Sequence, residues 1–134
     1  MDKRLILEWF RFADTDLDTA EVLLEYRPQH YEIICYHCQQ SVEKYLKGYL
    51  IYKGIDNPPK IHYLDDLCEM CEKFNEKFSE IIKPCVILTD YGVQPRYPEE
   101  MLIEEHHVKQ ALEYARQIRD FEPIQSVRKE LEQA

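Results

Sequence analysis

Glycine is scarce in this chain. Only 3 of the 134 residues are glycine, whereas 10 are tyrosine. Tight turns between strands often need glycine, so this scarcity favours helices over a meander of short strands. The length corresponds to one domain, and a hydrophobic content of 45% is enough for a buried core. We therefore expect a globular protein rather than a disordered one.

Basic residues are not in excess either, because the formal net charge is -9. A protein whose main partner is duplex nucleic acid is usually basic, since its affinity comes from neutralised phosphates. We therefore do not expect duplex DNA as a partner. Nucleic acid could still bind a local cationic patch, although the field of the whole chain opposes it.

Long apolar runs are absent as well. No stretch approaches the roughly 18 apolar residues that a membrane span needs, so no membrane association is expected. The first residues, MDKRLILEWFRFAD, turn charged again too soon for a secretory signal. The five cysteines are an odd number, which fits free thiols in a reducing compartment. These features predict a cytoplasmic protein.

Apolar residues recur at helical spacing along the chain. The predicted helices cover about residues 3–26, 31–53, 63 onward, 78–91 and 103–121. Pro28 disfavours continuation of the first helix, Gly54 suits the end of the second, and Pro84 kinks or delays the fourth. The prediction is an all-α, antiparallel up-and-down bundle of four main helices plus a fifth. Its core spans about 3–121, and the tail 122–134 adds a short helix or frays.

Two Cys-x-x-Cys pairs, Cys35/Cys38 and Cys68/Cys71, raise the question of a zinc site. On a helical wheel each pair lies on an apolar face, where small buried cysteines are common. Zinc pairs usually lie on tight turns, and the interval between these pairs exceeds the usual ribbon spacing. A redox pair is also disfavoured, because neither opens a helix after a strand. We interpret the cysteines as core residues and expect no metal and no cofactor.

A second motif resembles a calcium-binding loop. Asp14, Asp16, Asp18 and Glu25 match its positions 1, 3, 5 and 12, but Thr19 occupies the position that needs glycine. The stretch also continues the apolar period of the first helix. We therefore expect a solvated acidic face there, formed by Asp14, Asp18, Glu21 and Glu25.

The polar face of the second helix carries Gln40, Glu43, Lys44 and Lys47 at positions i, i+3, i+4 and i+7. The simplest interpretation is exposed charge with an i,i+4 pair between Glu43 and Lys47. Gln39 falls inside the apolar arc, where a buried amide must find hydrogen-bond partners. Two interpretations of Gln39 stay open. It is either a core glutamine whose amide is fully hydrogen-bonded, or a residue with a direct functional role.

Three stretches resemble the signature of HEPN-domain proteins (higher eukaryotes and prokaryotes nucleotide-binding), in their small prokaryotic single-domain form. They are WFRFADTDLDTAEVLL, YHCQQSVEKYLKGYLIYKGIDNPPKIHYLDDL and LTDYGVQPRYPEE. The shared features include Gln-Gln, Glu-Lys-x-Leu-Lys, His-x-Leu-x-x-Leu and an Arg-Tyr-Pro loop. The resemblance covers about residues 5–120 in a consistent order, and it implies a single HEPN-like helical domain over residues 1–134.

The resemblance also implies a homodimer, and a minimal nucleotidyltransferase partner in a toxin–antitoxin-like pair. Some members of this family are metal-independent ribonucleases that use an Arg-x4–6-His motif at the dimer cleft, and others bind nucleotides or partner proteins without catalysis. In this chain nine residues separate Arg96 from His106, so the ribonuclease motif is not matched.

We therefore predict a non-catalytic domain that engages a nucleotide, RNA or a partner nucleotidyltransferase. The predicted ligand-binding residues are Gln40, Lys44, Lys47, His62, Arg96 and Tyr97. The cations would neutralise phosphate, Tyr97 would stack on a base, and Gln40 would contact polar edges. For His62, packing or capping competes with anion binding at the start of the third helix.

Two alternatives stay open. The first is a metal-independent endoribonuclease toxin acting at a dimer cleft. In it Arg96 binds phosphate, and His106 or His37 acts as acid and base. The second is a purely structural protein-interaction module with a tyrosine-rich docking surface.

Overall fold

The computed structural model describes residues 1–55, 57, 60–92 and 102–133, and these residues are almost entirely helical. The six α-helices are α1 (Lys3–Tyr26), α2 (Tyr31–Tyr52), α3 (Leu64–Glu72), α4 (Ile82–Thr89), α5 (Glu105–Arg119) and α6 (Glu122–Glu132). Two 3-10 segments, Glu76–Ile81 and Asp90–Gly92, flank α4. No strand occurs in these ranges. The predicted all-α bundle is confirmed.

The two longest helices, α1 and α2, form the centre of the bundle. The Asp2 carboxylate caps α1 by accepting a hydrogen bond from the Leu5 amide at 3.0 Å. From Ser41 to Ile51 every residue of α2 except Lys44 is buried. The two helices approach closely at Gly48, where a Cβ atom would lie 2.8 Å from Cε1 of Phe10. A side chain at that position would have to displace a buried ring.

Gly54 and Pro84 interrupt the helical pattern, as the sequence predicted. Gly54 follows α2 with a φ of 96°, a backbone conformation that favours glycine. The predicted helix over residues 78–91 is α-helical only over Ile82–Thr89. Pro84 lies in the first turn of α4, where a missing N–H costs no intrahelical hydrogen bond.

The C-terminal segment forms a helix, which is one of the two outcomes considered for it. Along α6 the side chains of Ile124, Val127 and Leu131 are buried in the apolar core. Arg128 donates hydrogen bonds from both terminal nitrogens to the Asp14 carboxylate at 3.0 Å. The tail therefore packs back on the first helix.

This packing corrects the prediction of a fully solvated acidic face on α1. Asp14 binds Arg128 and also accepts a hydrogen bond from the Tyr45 hydroxyl. Only 37% of the Asp14 side chain is exposed. The period of α1 could not show this contact, because Arg128 lies 114 residues further along the chain.

All five cysteines are buried, so the predicted core position of both Cys-x-x-Cys pairs is confirmed. Burial, followed by the charge of Glu32, raises the pKa of Cys35 to about 12. Burial likewise raises the pKa of Cys38 and Cys71 well above the ordinary range, so these thiols stay protonated. Within the described ranges, no three His, Cys, Asp or Glu side chains are grouped so that they could hold a metal ion.

Among the residues described, no helix has both the length and the apolar character needed to cross a membrane.

Candidate functional site

A buried polar network centres on Gln39 of α2. Its side chain is 0% exposed, and its amide nitrogen donates to Glu43 Oε1 at 3.2 Å and to the His62 carbonyl oxygen at 3.1 Å. Its amide oxygen accepts a hydrogen bond from Gln40 Nε2 at 2.7 Å. Gln39 therefore satisfies its polar atoms in the core and ties the segment that precedes α3 to α2.

Glu43 and Lys47 form an ion pair inside this network, with Nζ 3.0 Å from Oε2. Only 6% of the Glu43 side chain and 8% of the Lys47 side chain are exposed. The prediction of an exposed pair is therefore wrong, because neighbouring elements cover the part of α2 that carries Glu43 and Lys47. Burial of two charges is costly unless further hydrogen bonds compensate, and Gln39 and His62 supply them to Glu43.

Glu43 holds the imidazole of His62 in one orientation. His62 Nδ1 lies 3.1 Å and 3.2 Å from the two carboxylate oxygens of Glu43, while 68% of the His62 side chain is exposed. An ionised carboxylate only accepts hydrogen bonds, so Nδ1 carries the proton and Nε2 faces outward. The outward nitrogen can accept a proton or, once protonated, bind an anion.

His62 borders an open pocket of about 460 Å³, a size that suits a small ligand. The residues that line it include Lys60, His62, Tyr63, Asp66, Thr89 and Gly92. Tyr63 is 63% exposed and contributes an aromatic side chain to the lining of the same pocket. Thr89 Oγ1 accepts a hydrogen bond from the Leu64 amide at 2.9 Å, which ties the end of α4 to the start of α3.

Gly92 connects this pocket to the buried network. A Cβ atom at Gly92 would lie 2.8 Å from Nε2 and 2.9 Å from Cδ of Gln39. Only a residue without a side chain lets the Asp90–Gly92 turn pack this closely against the amide. One wall of the pocket therefore rests directly on Gln39.

A second polar cluster, Asp16, His37 and Lys44, lies between α1 and α2. Lys44 Nζ contacts one Asp16 oxygen, and His37 Nδ1 lies 3.0 Å from the other. Burial raises the pKa of Asp16, but hydrogen bonds and charges from His37 and Lys44 outweigh it. The pKa of this carboxyl is therefore below its ordinary value of 3.8.

Asp16→Asn tests this cluster. The depressed pKa means that Asp16 stabilises the fold above about pH 4, and that this contribution is lost as pH falls through the folded-state pKa. We expect the variant to lose about 2 kcal/mol at pH 7 and progressively less below pH 4. Urea unfolding at pH 7 and pH 3 measures the difference. Asp18→Asn, at an exposed position of the same helix, is the control. A constant deficit at both pH values would contradict the assignment.

The predicted ligand-binding residues do not all lie together. Gln40, Lys47 and His62 belong to the network, whereas Lys44 belongs to the Asp16 cluster. Arg96 and Tyr97 lie outside the described residues. A shared ligand for these six residues stays a prediction.

The two histidines of the ribonuclease alternative lie on different helices. His37 lies on α2 and pairs with Asp16 of α1, whereas His106 lies in the first turn of α5 with 70% of its side chain exposed.

Sequence reasoning missed the pocket residues Lys60, Tyr63, Asp66 and Gly92. They come from two segments, 60–66 and 89–92, whose approach depends on how α3 and α4 pack. One usable signal was Gln39, because a glutamine in an apolar arc requires partners. The position of His62 beside Glu43 had no comparable signal.

The sequence of this chain matches the model of a known protein family. The model of the family described as HEPN domain matches residues 6–125, which is most of the chain. This chain belongs to the HEPN domain family. The confirmed resemblance covers the buried network, the His62 pocket and most of the helical core.

Similar proteins include one curated relative and two solved structures. The relative, named "Putative toxin MJ1304", is from Methanocaldococcus jannaschii and is 36% identical over 92 residues, which cover 65% of this chain. The chain spans only 59% of the length of that relative. The crystal structure of TT1696 from Thermus thermophilus has a TM-score of 0.76 at 20% identity, covering 91% of this chain and 97% of that chain.

ST0689, described as an archaeal HEPN homologue, has a TM-score of 0.67 at 21% identity, with coverage of 94% of this chain and 97% of that chain. At such low identity the two structures establish the fold alone.

Proposed function

We propose that this chain is the HEPN half of a toxin–antitoxin-like pair and binds a nucleotide or single-stranded RNA in the pocket beside His62. The observation that carries the proposal is the exposed imidazole that buried Glu43 holds at the rim of that pocket, beside Lys60 and Tyr63. The family match and the name of the M. jannaschii relative support the toxin–antitoxin role.

Each exposed group of the pocket suits one part of a nucleotide. The Lys60 ammonium and a protonated His62 would donate charge-assisted hydrogen bonds to phosphate oxygens. Tyr63 would stack on a base, since any base offers a π-face. Asp66 would accept a hydrogen bond from a ribose hydroxyl. Because the chain carries a net charge of -9, binding would depend on these local cations and weaken with salt.

The proposal includes a single domain over residues 1–134 that forms a homodimer in the cytoplasm. It also includes a minimal nucleotidyltransferase as the partner protein, as membership of this family implies. No metal or cofactor takes part in the binding step.

Binding of a fluorescein-labelled six-nucleotide RNA, measured by fluorescence polarisation, tests the proposal. Lys60→Ala and His62→Ala should each weaken binding about tenfold, because each removes a charge-assisted hydrogen bond to phosphate. Lys83→Ala is the matched control, since Lys83 is an exposed lysine on α4. Equal affinity of the Lys60 and Lys83 variants, or no binding by the wild type, would rule the pocket out.

The ribonuclease alternative has one observation in its favour. An imidazole held by a carboxylate, as His62 is held by Glu43, is a suitable general base. The labelled RNA can therefore also be followed for cleavage in excess chelator. Cleavage that persists in chelator and disappears in both His62→Ala and Arg96→Ala would replace the binding proposal with catalysis.

A further inference from the structure

A second open pocket, of about 600 Å³, borders the Asp90–Gly92 turn. The residues that line it include Val86, Asp90, Tyr91, Ile103, His107 and Gln110. It shares no lining residue with the His62 pocket, but both pockets take residues from the short segment 89–92. Thr89 and Gly92 line the first, and Asp90 and Tyr91 line the second.

The apolar part of this pocket suits a flat ring. Tyr91 and Ile103 are largely buried at 9% exposure, whereas Val86 is 52% exposed. The exposed aliphatic surface of Val86, together with the small exposed parts of Tyr91 and Ile103, gives a heteroaromatic ring an apolar surface to pack on. Stacking and apolar contact of this kind are how proteins hold unpaired bases.

The polar groups of the pocket have defined roles. His107 Nδ1 accepts a hydrogen bond from the Glu104 backbone amide at 2.9 Å, so the proton of the neutral ring is on Nε2. His107 lines the pocket and can therefore act as a hydrogen-bond donor through Nε2. The exposed carboxylate of Asp90 is an acceptor. A ligand that fits must accept from one group and donate to the other.

We propose that this pocket binds a guanine base and thereby gives the chain a base preference in RNA. The inference rests on the proposed RNA-binding function. Guanine presents a carbonyl oxygen, a ring N–H and an amino group along one edge. The Asp90 carboxylate can accept from the ring N–H and the amino group, while His107 Nε2 donates to the carbonyl oxygen. Adenine has an unprotonated ring nitrogen where guanine has the N–H, and this nitrogen would face the carboxylate.

The two pockets can serve one strand. Both pockets border the Asp90–Gly92 turn, so a single strand that crosses this turn can place a phosphate near Lys60 and a base near Asp90. The first pocket then contributes affinity, and the second contributes discrimination. This division matches the general separation between phosphate contacts, which position a strand, and base contacts, which specify it.

The test compares two labelled RNAs, a hexamer of adenines and the same hexamer with one central guanine. The wild type should bind the guanine-containing RNA about tenfold more tightly, as expected for one bidentate base contact. In Asp90→Asn the carboxamide keeps only one acceptor, so it cannot accept from both the ring N–H and the amino group of guanine. The preference should therefore shrink or vanish. Asp18→Asn, at an exposed position of α1, should keep the wild-type preference.

Equal binding of the two RNAs by the wild type, or an unchanged preference in Asp90→Asn, would overturn the inference. Lys60→Ala should weaken both RNAs by the same factor and leave their ratio intact. If Lys60→Ala has no effect while the guanine preference persists, the phosphate site fails and the guanine pocket stands.

If neither RNA binds, the proposed function fails, and titration with free guanosine followed by NMR decides about the pocket. Shifts of the Asp90, Tyr91 and His107 amides with guanosine but not with adenosine would support it. Unperturbed amides would overturn it.

Discussion

Replacement of Glu43 by alanine is expected to lower the free energy of unfolding by about 3–5 kcal/mol. The variant leaves the ammonium of Lys47 buried without its carboxylate, and only 8% of that side chain is exposed. It also removes one of the two acceptors of Gln39 Nε2 and the acceptor of His62 Nδ1. Urea unfolding at pH 7, followed by far-UV circular dichroism, measures the loss.

The chain contains a matched control for this variant. Glu105 and Lys109 on α5 have the same residue types and the same i,i+4 spacing, with a nitrogen–oxygen distance of 3.4 Å. About two thirds of each side chain is exposed (67% and 69%), so Glu105→Ala should cost no more than about 0.5 kcal/mol. Comparable losses in the two variants would show that the Glu43–Lys47 pair is not buried in solution.

The double variant Glu43→Met/Lys47→Met separates stability from function. Apolar side chains of similar size can replace a buried ion pair with little loss of stability. We expect this variant to fold and to bind RNA poorly, because no carboxylate then orients His62. Wild-type binding by a stably folded double variant would show that the orientation of His62 is not needed.

Substitution of Gly92 by alanine is expected to cost about 1–3 kcal/mol and to weaken RNA binding several-fold. The new Cβ atom would lie 2.8 Å from Gln39 Nε2, and Gln39 is fully buried. The amide can move away only by breaking hydrogen bonds to Glu43, His62 or Gln40. The His62 backbone and the Asp90–Gly92 turn would therefore shift together. Unfolding in urea and the polarisation assay report the two effects.

Gly54→Ala is the control for this substitution. No atom lies within 4 Å of a Cβ at Gly54, but its φ of 96° is unfavourable for alanine, so about 1 kcal/mol of stability should be lost. RNA binding should stay at the wild-type level, because Gly54 touches neither pocket. If Gly92→Ala also lowered the stability without weakening RNA binding, Gln39 would not couple the buried network to the pocket.

Glu43→Ala and Gly92→Ala both disturb the buried polar network around Gln39, and burial of these polar groups is costly. A buried ion pair is weak evidence for stability, since apolar residues at the same positions often give the protein equal stability. Here the pair holds a histidine whose outer nitrogen faces a pocket. The Glu43→Met/Lys47→Met variant would retain the packing of the core but lose the orientation of His62. It should therefore fold and still bind RNA poorly.

Several features of this protein follow from local sequence alone. Helical periodicity located α1 and α2 to within a residue at each end, since spacing along one helix depends only on its own geometry. Gly54 and Pro84 marked interruptions because their backbone restrictions are intrinsic to those residues. The cysteines were assigned to the core because their positions on the helical wheel are apolar. The motif resemblance over about residues 5–120 agrees with the family match over residues 6–125.

Other features depend on which elements pack together, and no local pattern contains that information. A polar face normally indicates solvent, but the elements around α2 enclose Glu43 and Lys47 and convert an apparent surface pair into a buried one. Asp14 is held by Arg128 of α6, and the pocket combines residues 60–66 with residues 89–92. The sequence by itself determined the helices and the family, whereas only the tertiary structure decided which charges are buried and which side chains meet. The reason is that burial and contact depend on the relative placement of helices that are distant along the chain.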